Sequence, residues 1–424
     1  MSSPDFVLFA LQIAVMLACA VFFGNLMRHF GQPAVLGEML GGILLGPTVF
    51  GALAPALYAG LFQSSAGVAE ARDASIKLGM LFFLFIAGLE TNLSDLRRLG
   101  RRAVTIGLVG TLIPIAVGVA LVYALPASFW GDKASAHLFS FALFIGMNLA
   151  NSANPVIARI LMDLGLLKHE IGATIMTATI VDDLVNWTLF AIVLRDIAPA
   201  SAATGDLGVS IVLVLLFFVV VLVVVRSLAQ RVLNWVRARV SFPSGYIAAT
   251  SLLILAVGST AEAIGINAFL GAFLVGAALG GHDEDTNEAN RSITHFVLSF
   301  FAPIYFVSMG LNANFITSFD GVLVALIFLV ACVSKIGAVL LGARLAGMSI
   351  DRQALAIGFG LNARGATGII LAGVGLQQGV IDERIFVAIV VMAILTSLLS
   401  APAIKQLILK PERIRLPVTD SSLS

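Results

Sequence analysis

Four ionisable side chains stand inside otherwise apolar stretches of this sequence. They are Asp182 and Asp183 in TIVDDLVNWTLF, Lys335 in FLVACVSKIGAVLLGARL, and Arg364 in GFGLNARGATGIILAGVG. Neighbouring residues of a helix point about 100° apart, so the two carboxylates cannot share one partner. One of them can therefore face a cavity while the other meets a cation on a neighbouring helix, and Asp182 could form a buried ion pair with Lys335. A purely structural role of the Asp182–Lys335 pair, in which it only orients helices, stays open.

The composition of the chain places these residues in a membrane. Of the 424 residues, 59% are apolar and only 12% are charged, and the mean hydropathy is +1.03. A soluble domain carries roughly 25% charged residues. An ionisable group at bilayer depth costs at least about 2.5 kcal/mol, and it persists mainly where it faces a partner, a bundle interior or water. The four side chains are therefore candidates for function.

The same sequence disfavours other classes of function. A net charge of +1 gives no sign of a nucleic-acid partner. Cys19 and Cys332 lie in separate apolar segments, which argues against a disulfide framework and a thiolate metal site. Gly358 and Gly360 lack the third glycine of a dinucleotide fingerprint, and no phosphate-binding GxxxxGK occurs. We expect neither an enzyme nor a cofactor.

Charged residues, prolines, asparagines and glycines divide the chain into thirteen apolar segments long enough to cross a bilayer. The predicted fold is therefore an all-α polytopic membrane protein, a single membrane domain over residues 1–424. The predicted spans are about residues 5–27, 33–51, 73–91, 102–126, 136–162, 167–195, 207–231, 243–259, 264–280, 293–310, 320–343, 352–375 and 382–408.

Lysine and arginine concentrate in alternate predicted loops. By the positive-inside rule this asymmetry predicts an N-terminus outside and a C-terminus in the cytoplasm. The first span has no basic segment before it, so we expect it to remain as a helix and not to be cleaved as a signal peptide. The predicted cytoplasmic loops hold Arg28, Arg97, Arg98, Arg101, Arg102, Lys168, Arg226, Arg231, Arg237, Arg239, Arg291, Arg344 and Arg352.

Two predicted spans are interrupted by helix-breaking residues. Span five contains Pro155, and span twelve contains Gly365 and Gly368. Because the two spans are seven apart, they cross the membrane in opposite directions. That is typical of an inverted-topology repeat with crossed broken helices, here spans one to six and eight to thirteen. Such paired interruptions indicate a substrate site near the bilayer midplane.

Polar side chains cluster at the two interruptions, where freed carbonyls and helix C-termini carry partial negative charge that suits a cation. Arg364 would neutralise part of that charge. Elsewhere, Glu38 and Glu90 are expected to serve packing or surface roles, and Arg159 and Asp163 to form a local ion pair. Each of the clustered residues is either an oxygen ligand of an ion or a stabiliser of the helix break. They are Asn151, Ser152, Asn154, Asn362 and Thr367.

At these residues the chain resembles the monovalent cation:proton antiporter-2 family, which includes Kef-type, NapA-type and plant exchangers. The resemblance covers almost the whole chain and rests on several long motifs in the same order. Besides the span-five and span-six strings, the motifs are GQPAVLGEMLGGILLGPTVFG (31–51), LFFLFIAGLETNLSDLRR (81–98), AEAIGINAFLGAFLVGAALG (261–280), FAPIYFVSMGLN (301–312) and NARG (362–365).

The resemblance implies a mobile core of spans four to six and eleven to thirteen. Spans one to three and eight to ten would form a panel through which such proteins dimerise, here in a bacterial inner membrane. The implied segments are the core (100–195 and 320–408), the panel (1–99 and 243–312), the connecting helix (207–231) and a short cytoplasmic tail (409–424).

The resemblance also implies roles for single residues. Asp183 and Asp182 would bind the transported cation and the proton, and Lys335 would pair with Asp182. Kef-type members usually carry an amide in place of Asp182 and a C-terminal nucleotide-binding domain, and this sequence departs on both counts. The NARG string is similar to that of the plant exchangers, many of which handle potassium, so the ion stays open.

We therefore expect an antiporter that exchanges Na⁺ or K⁺ for protons by alternating access. Asp183 would be the ligand of the transported cation, and the cycle would be electrogenic. An alternative is a sodium-coupled organic-anion symporter on a related inverted-repeat fold.

Overall fold

A computed structural model describes residues 2–30, 34–90, 100–166, 169–197, 207–221, 242–264, 268–280, 287–311 and 313–409, with scattered positions between 223 and 240. Every regular element in this described part is a helix. The longer helices are α1 (Ser3–His29), α2 (Ala34–Leu45), α3 (Ala66–Glu90), α4 (Gly100–Ala124), α5 (Leu138–Ala150), α6 (Asn154–Asp163), α7 (Glu170–Ile197), α8 (Leu207–Val220), α9 (Ser244–Ala263), α10 (Ala268–Leu279), α11 (Asn287–Phe296), α12 (Ala302–Leu311), α13 (Gly321–Leu345), α14 (Arg352–Leu361), α15 (Gly365–Gln377) and α16 (Glu383–Ile404).

Shorter helical turns complete the described elements. A π-helical turn joins α11 to α12, and another extends α16. The short turns are Phe50–Leu53, Pro55–Tyr58, Ala59–Gln63, Ala127–Trp130, Asp132–Ala136, Val297–Phe301 and Lys405–Leu409.

The starts of three helices follow directly from the sequence. Asp320, Asp351 and Asp382 precede α13, α14 and α16, and each carboxylate accepts hydrogen bonds from backbone N–H groups of the first turn. An aspartate at this position supplies the acceptor that the first N–H groups of a helix lack.

The described helices are those of a multi-pass membrane protein. Eight of them, counted with their extensions, are long and apolar enough to cross a bilayer, and three shorter apolar helices accompany them. Predicted spans five and twelve each consist of two helices with an interruption between them. The predicted connecting span 207–231 contains α8, and most of its residues after 221 lie outside the described residues, as does the predicted tail beyond residue 409.

Helix contacts fall into two sets. The first, which we call the crossing set, comprises α4 to α7 and α13 to α16; α4, for example, packs against α5, α7 and α13. The second, the flanking set, comprises α1 to α3 and α9 to α12, in which α2 packs against α12 and α3 against α10. Fewer contacts join the two sets, among them those between α2 and α15.

Glycines allow the closest contacts within the flanking set. A Cβ added to Gly42 of α2 would lie 2.1 Å from the carbonyl oxygen of Val307 on α12, and one added to Gly88 of α3 would lie 2.0 Å from that of Phe273 on α10. Any larger side chain would therefore force the helices apart. In membranes, where helix association depends on close packing, such small residues are typical of helix interfaces.

Candidate site at the helix crossing

The two interrupted spans meet at their interruptions. The N–H of Ala153, between α5 and α6, donates to the carbonyl of Ala363, between α14 and α15, at 2.8 Å. The hydroxyl of Ser152 donates to the carbonyl of Leu361 at 2.6 Å. Each interruption therefore supplies hydrogen-bond donors or acceptors that the other one lacks, which is how non-helical backbone becomes tolerable at bilayer depth.

Local sequence explains why both helices restart there. Pro155 stands second in α6, where its missing N–H costs no intrahelical bond. Gly365 opens α15 with a φ of +40°, in the region that favours glycine. A Cβ on Gly365 would also lie 2.4 Å from a methyl of Val156, so glycine is required for the approach of α15 to α6.

Arg364 is fully buried at the crossing and binds main-chain carbonyls from three segments. Its Nε donates to Asn148 at 3.2 Å, and its Nη2 donates to Ala331 at 3.1 Å and also to Leu149. Its Nη1 donates to the carbonyl and the side-chain oxygen of Asn362, at 3.1 and 2.6 Å. The guanidinium thus lies over the C-terminal end of α5, where positive charge is favoured.

Asp182 is enclosed by donors. Its Oδ2 lies 3.2 Å from Nζ of Lys335, and its Oδ1 accepts from the hydroxyl of Thr111 at 2.6 Å and the amide of Asn186 at 3.3 Å. Lys335 also donates to the carbonyl of Ala150, the last residue of α5. Asp182 and Lys335 are each only 1% exposed, so the charges of this pair are stabilised by each other and by neutral donors.

Asp183, the next residue of α7, points away from Lys335 and towards α6. Its Oδ2 accepts from the side-chain amide of Asn154, the first residue of α6, at 2.5 Å. The hydroxyl of Thr179 donates to the oxygen of the same Asn154 amide, which fixes the amide with its NH₂ towards the carboxylate. Asp183 lines a cavity, and Asp182 is not among the residues that line it.

This cavity, which we call the Asp183 cavity, has a volume of about 220 Å³ and lies between the two helix sets. The crossing set contributes Asp183, Asn154 and Thr367, and the flanking set contributes Glu38 and many apolar side chains. Arg28, exposed near the end of α1, also lines it. A carboxylate and a hydroxyl in a cavity large enough for several water molecules are oxygen groups that suit a partly hydrated alkali cation.

The other predicted polar residues have different surroundings. Ser152 and Asn362 both form hydrogen bonds at the helix breaks. The amide of Asn151 is buried, and neither its nitrogen nor its oxygen has a hydrogen-bond partner among the described residues. The side chains of Glu90, Arg159 and Asp163 lie outside the described part of the structure.

Sequence reasoning missed several residues of the site. Glu38, expected to serve packing or surface roles, is only 7% exposed and lines the Asp183 cavity. Thr111, Asn186 and Thr179 were not singled out. Asn186 lies one helical turn from Asp182, so helical spacing was the signal that could have identified it.

Comparison with known proteins first defines the class of fold. The structure is similar to that of the sodium proton antiporter MjNhaP1 from Methanocaldococcus jannaschii, with a TM-score of 0.69 and 15% sequence identity over 96% of this chain and 99% of that chain. Residues 14–410 match the family model described as "Sodium/hydrogen exchanger, transmembrane". The chain belongs to this sodium/hydrogen exchanger family, which confirms the resemblance that its motifs indicated.

Individual relatives cover this chain almost completely. Cation/H(+) antiporter 18 of Arabidopsis thaliana is 32% identical over 411 residues, which is 95% of this chain and 49% of the plant protein. Na(+)/H(+) antiporter NhaS4 of Synechocystis sp. is 30% identical over 410 residues, which is 95% of this chain and 98% of that protein. The chain thus spans about half the length of the plant relatives it matches.

Proposed function

We propose that this protein is a secondary active antiporter, not an enzyme, that exchanges a monovalent cation, Na⁺ or K⁺, for protons. The observation that carries the proposal is the contrast between neighbouring carboxylates: Asp183 lines a cavity, while Asp182 is enclosed by Thr111, Asn186 and Lys335. The printed names of the relatives, Na(+)/H(+) and cation/H(+) antiporters, support both substrates.

Exchange follows from competition for one carboxylate. A buried carboxylate is costly unless it is neutralised by a proton or a cation. A cation that binds Asp183 therefore displaces its proton, and a proton that returns displaces the cation. The hydroxyl of Thr367, on the first turn of α15, lies in the same cavity and would contribute an oxygen ligand to the cation. The amide of Asn154, whose NH₂ faces Asp183, would hold the carboxylate in place.

The Lys335–Asp182 pair would supply a second proton. When a cation enters beside α7, Lys335 would release its proton and leave Asp182 to its neutral donors Thr111 and Asn186. Two protons would then move for each cation, and the cycle would be electrogenic.

Alternating access would come from movement of the crossing set, as the core, against the flanking set, as the panel. A second cavity of about 340 Å³, lined by Asp73, Lys77 and Gln377 among others, lies towards the opposite ends of α3 and α15 from the Asp183 cavity. Between the cavities, Tyr305 donates to the carbonyl of Ile370 at 3.4 Å. The two cavities would alternate as the routes to Asp183.

The arrangement of helices supports a thirteen-span inverted repeat. In such a repeat the contact of spans two and ten (α2 and α12) corresponds to that of spans nine and three (α10 and α3). Both contacts are made through glycine, at Gly42 and Gly88. We propose that the core comprises 100–195 and 320–408, the panel comprises 1–99 and 243–312, and 207–231 connects them.

We further propose a homodimer formed through the panel in a bacterial inner membrane, with the N-terminus outside and the C-terminus in the cytoplasm. The loop asymmetry of lysine and arginine supports this orientation. Arg28, predicted to be cytoplasmic, lines the Asp183 cavity, so the described conformation would open inward. The symporter alternative is not favoured, because the named relatives are cation/proton antiporters.

The substitution Asp183→Asn tests the proposal. In everted vesicles or proteoliposomes it should abolish the dissipation of an imposed proton gradient by added Na⁺ or K⁺, because a neutral amide cannot exchange a proton for a cation. The matched control is Asp132→Asn, the same change at an exposed aspartate in a short helix outside the site. Wild-type exchange by a folded Asp183→Asn protein would end the proposal.

A further inference from the structure

Glu38 has no explained role in the mechanism. It lies in the second turn of α2, it is only 7% exposed, and it lines the Asp183 cavity. Within the described residues, no side chain or backbone group forms a hydrogen bond or ion pair with its carboxylate. A carboxylate buried to this extent without a partner is costly, so its presence calls for a ligand.

Packing of α1 against α2 directs this side chain into the cavity. A Cβ on Gly37 would lie 2.0 Å from the carbonyl oxygen of Phe23, so α2 lies directly on α1 at this level. Opposite Glu38 stands Gly24, and a Cβ there would lie 3.5 Å from Oε1 of Glu38. The carboxylate of Glu38 therefore lies against α1 at Gly24, beside the cavity.

The position of Glu38 places it between the mouth and the ion site. Arg28, one residue before the end of α1, and Ala34, the first residue of α2, line the outer part, while Asp183 lies in the middle of α7. Among the described lining residues, the charged ones are Arg28, Glu38 and Asp183. An ion that travels from Arg28 to Asp183 passes Glu38.

We propose that Glu38 binds the monovalent alkali cation, still partly hydrated, on its way between one face of the membrane and Asp183. The proposal rests on the proposed function. Glu38 would concentrate cations in the cavity and compensate for the repulsion by Arg28 at the mouth. Because the site belongs to the Asp183 cavity alone, it would act on cation binding from only one side of the membrane.

The test measures cation dependence from each side separately. Exchange is recorded in everted and in right-side-out vesicles as the external Na⁺ or K⁺ concentration is raised. In one orientation, Glu38→Gln should raise the half-saturating cation concentration about tenfold, the lower end of the effect of a charged cleft on local ion concentration. The maximal rate should be unchanged, as expected when binding alone is lost. In the other orientation neither quantity should change.

Three further variants make the result specific. Glu38→Asp keeps the charge and should retain most of the affinity. Glu38→Met introduces an apolar side chain of similar length and should reproduce the effect of Glu38→Gln. It replaces Glu38→Gln in the test if the amide variant does not fold. Glu70→Gln, at an exposed glutamate of α3 outside both cavities, should behave as wild type.

Equal half-saturating concentrations in Glu38→Gln and wild type, from both sides, would overturn the proposal. A rise of the same size from both sides, or a fall in the maximal rate alone, would assign Glu38 a structural role and overturn it as well. These outcomes leave the role of Asp183 intact. Exchange that survives Asp183→Asn would instead remove the proposed function on which this inference rests.

Discussion

The two interruptions that cross inside the protein differ in charge. The C-terminal carbonyls of α5 accept hydrogen bonds from two cations, Lys335 and Arg364. The corresponding end of α14 accepts from one cation, Arg364, at the carbonyl of Asn362, and from two neutral donors, the hydroxyl of Ser152 and the N–H of Ala153. Both C-termini carry partial negative charge, but two full positive charges lie at that of α5, whereas only Arg364, which also contacts α5, lies at that of α14.

The helices that follow the two interruptions differ in the same way. The side chain of Asn154, at the start of α6, contacts Asp183, while the N–H of Gly365, at the start of α15, donates to the hydroxyl of Ser397 at 3.0 Å. Asp183 and Lys335 therefore contact the α5–α6 interruption, while the α14–α15 interruption supplies Arg364 and neutral contacts. A pair of similar backbone breaks can thus differ in the charged groups that they contact.

Removal of Arg364 should have the largest effect, because this residue of one interruption stabilises the other. Arg364→Ala leaves the carbonyls of Asn148, Leu149 and Ala331 without this donor in a buried position. At about 1–3 kcal/mol for each unsatisfied buried group, we expect a loss of about 5 kcal/mol in unfolding free energy. Thermal or denaturant unfolding of the purified protein in detergent measures it.

Arg364→Lys should recover less than half of this loss, because one ammonium cannot reach carbonyls on three segments as a guanidinium does. Arg101→Ala, at an exposed arginine in the first turn of α4, is the control and should unfold like wild type. If Arg364→Ala were as stable as this control, the C-terminal end of α5 would not need a neutralising charge.

The Asp182–Lys335 pair gives the next largest effect. Either Lys335→Ala or Asp182→Asn breaks a buried ion pair, which costs about 3 kcal/mol because a charge is left without its partner. The double variant should lose less than the sum of the two single losses, since it leaves neither charge behind. A double-mutant cycle of unfolding free energies measures this coupling.

The variant Lys335→Ala also tests whether this lysine takes part in transport or only stabilises the fold. If Lys335 supplies the second proton, an imposed membrane potential should drive exchange by wild type but not by Lys335→Ala. Wild-type exchange that is indifferent to voltage would instead leave the lysine with a purely structural role, as one reading of the sequence allowed.

The sequence was most informative where a residue contradicts its surroundings. Asp182, Asp183, Lys335 and Arg364 are identifiable because each stands in an apolar run, and Pro155 marks a break by its missing N–H. The structure brings Lys335 to 3.2 Å from Asp182. The fold class and the family could also be predicted, because long apolar runs and long motifs can be recognised in the sequence without knowledge of the tertiary structure.

Glu38 shows what could not be predicted. Its place beside the cavity depends on how α1 packs against α2, and no local pattern around residue 38 reports that packing. Thr111 is similar: a hydroxyl in a membrane helix commonly bonds to its own backbone, and this one has two acceptors within reach, the carbonyl of Gly107 at 2.7 Å and Asp182 at 2.6 Å. Which second partner it meets depends on how α4 packs against α7.

The smallest expected change in unfolding free energy is that of Ser397→Ala, and this variant compares the two interruptions directly. Ser397→Ala removes the hydroxyl that accepts from the N–H of Gly365 and should cost about 1 kcal/mol in unfolding free energy. Because this contact involves no group that contacts Asp183, the half-saturating cation concentration should stay at the wild-type value. Asn154→Ala, at the start of α6, should instead raise that concentration, since Asn154 contacts Asp183. Vesicle exchange assays on the two variants measure the contrast, and an equal shift in both would mean that the contact between Ser397 and Gly365 is part of the cation site.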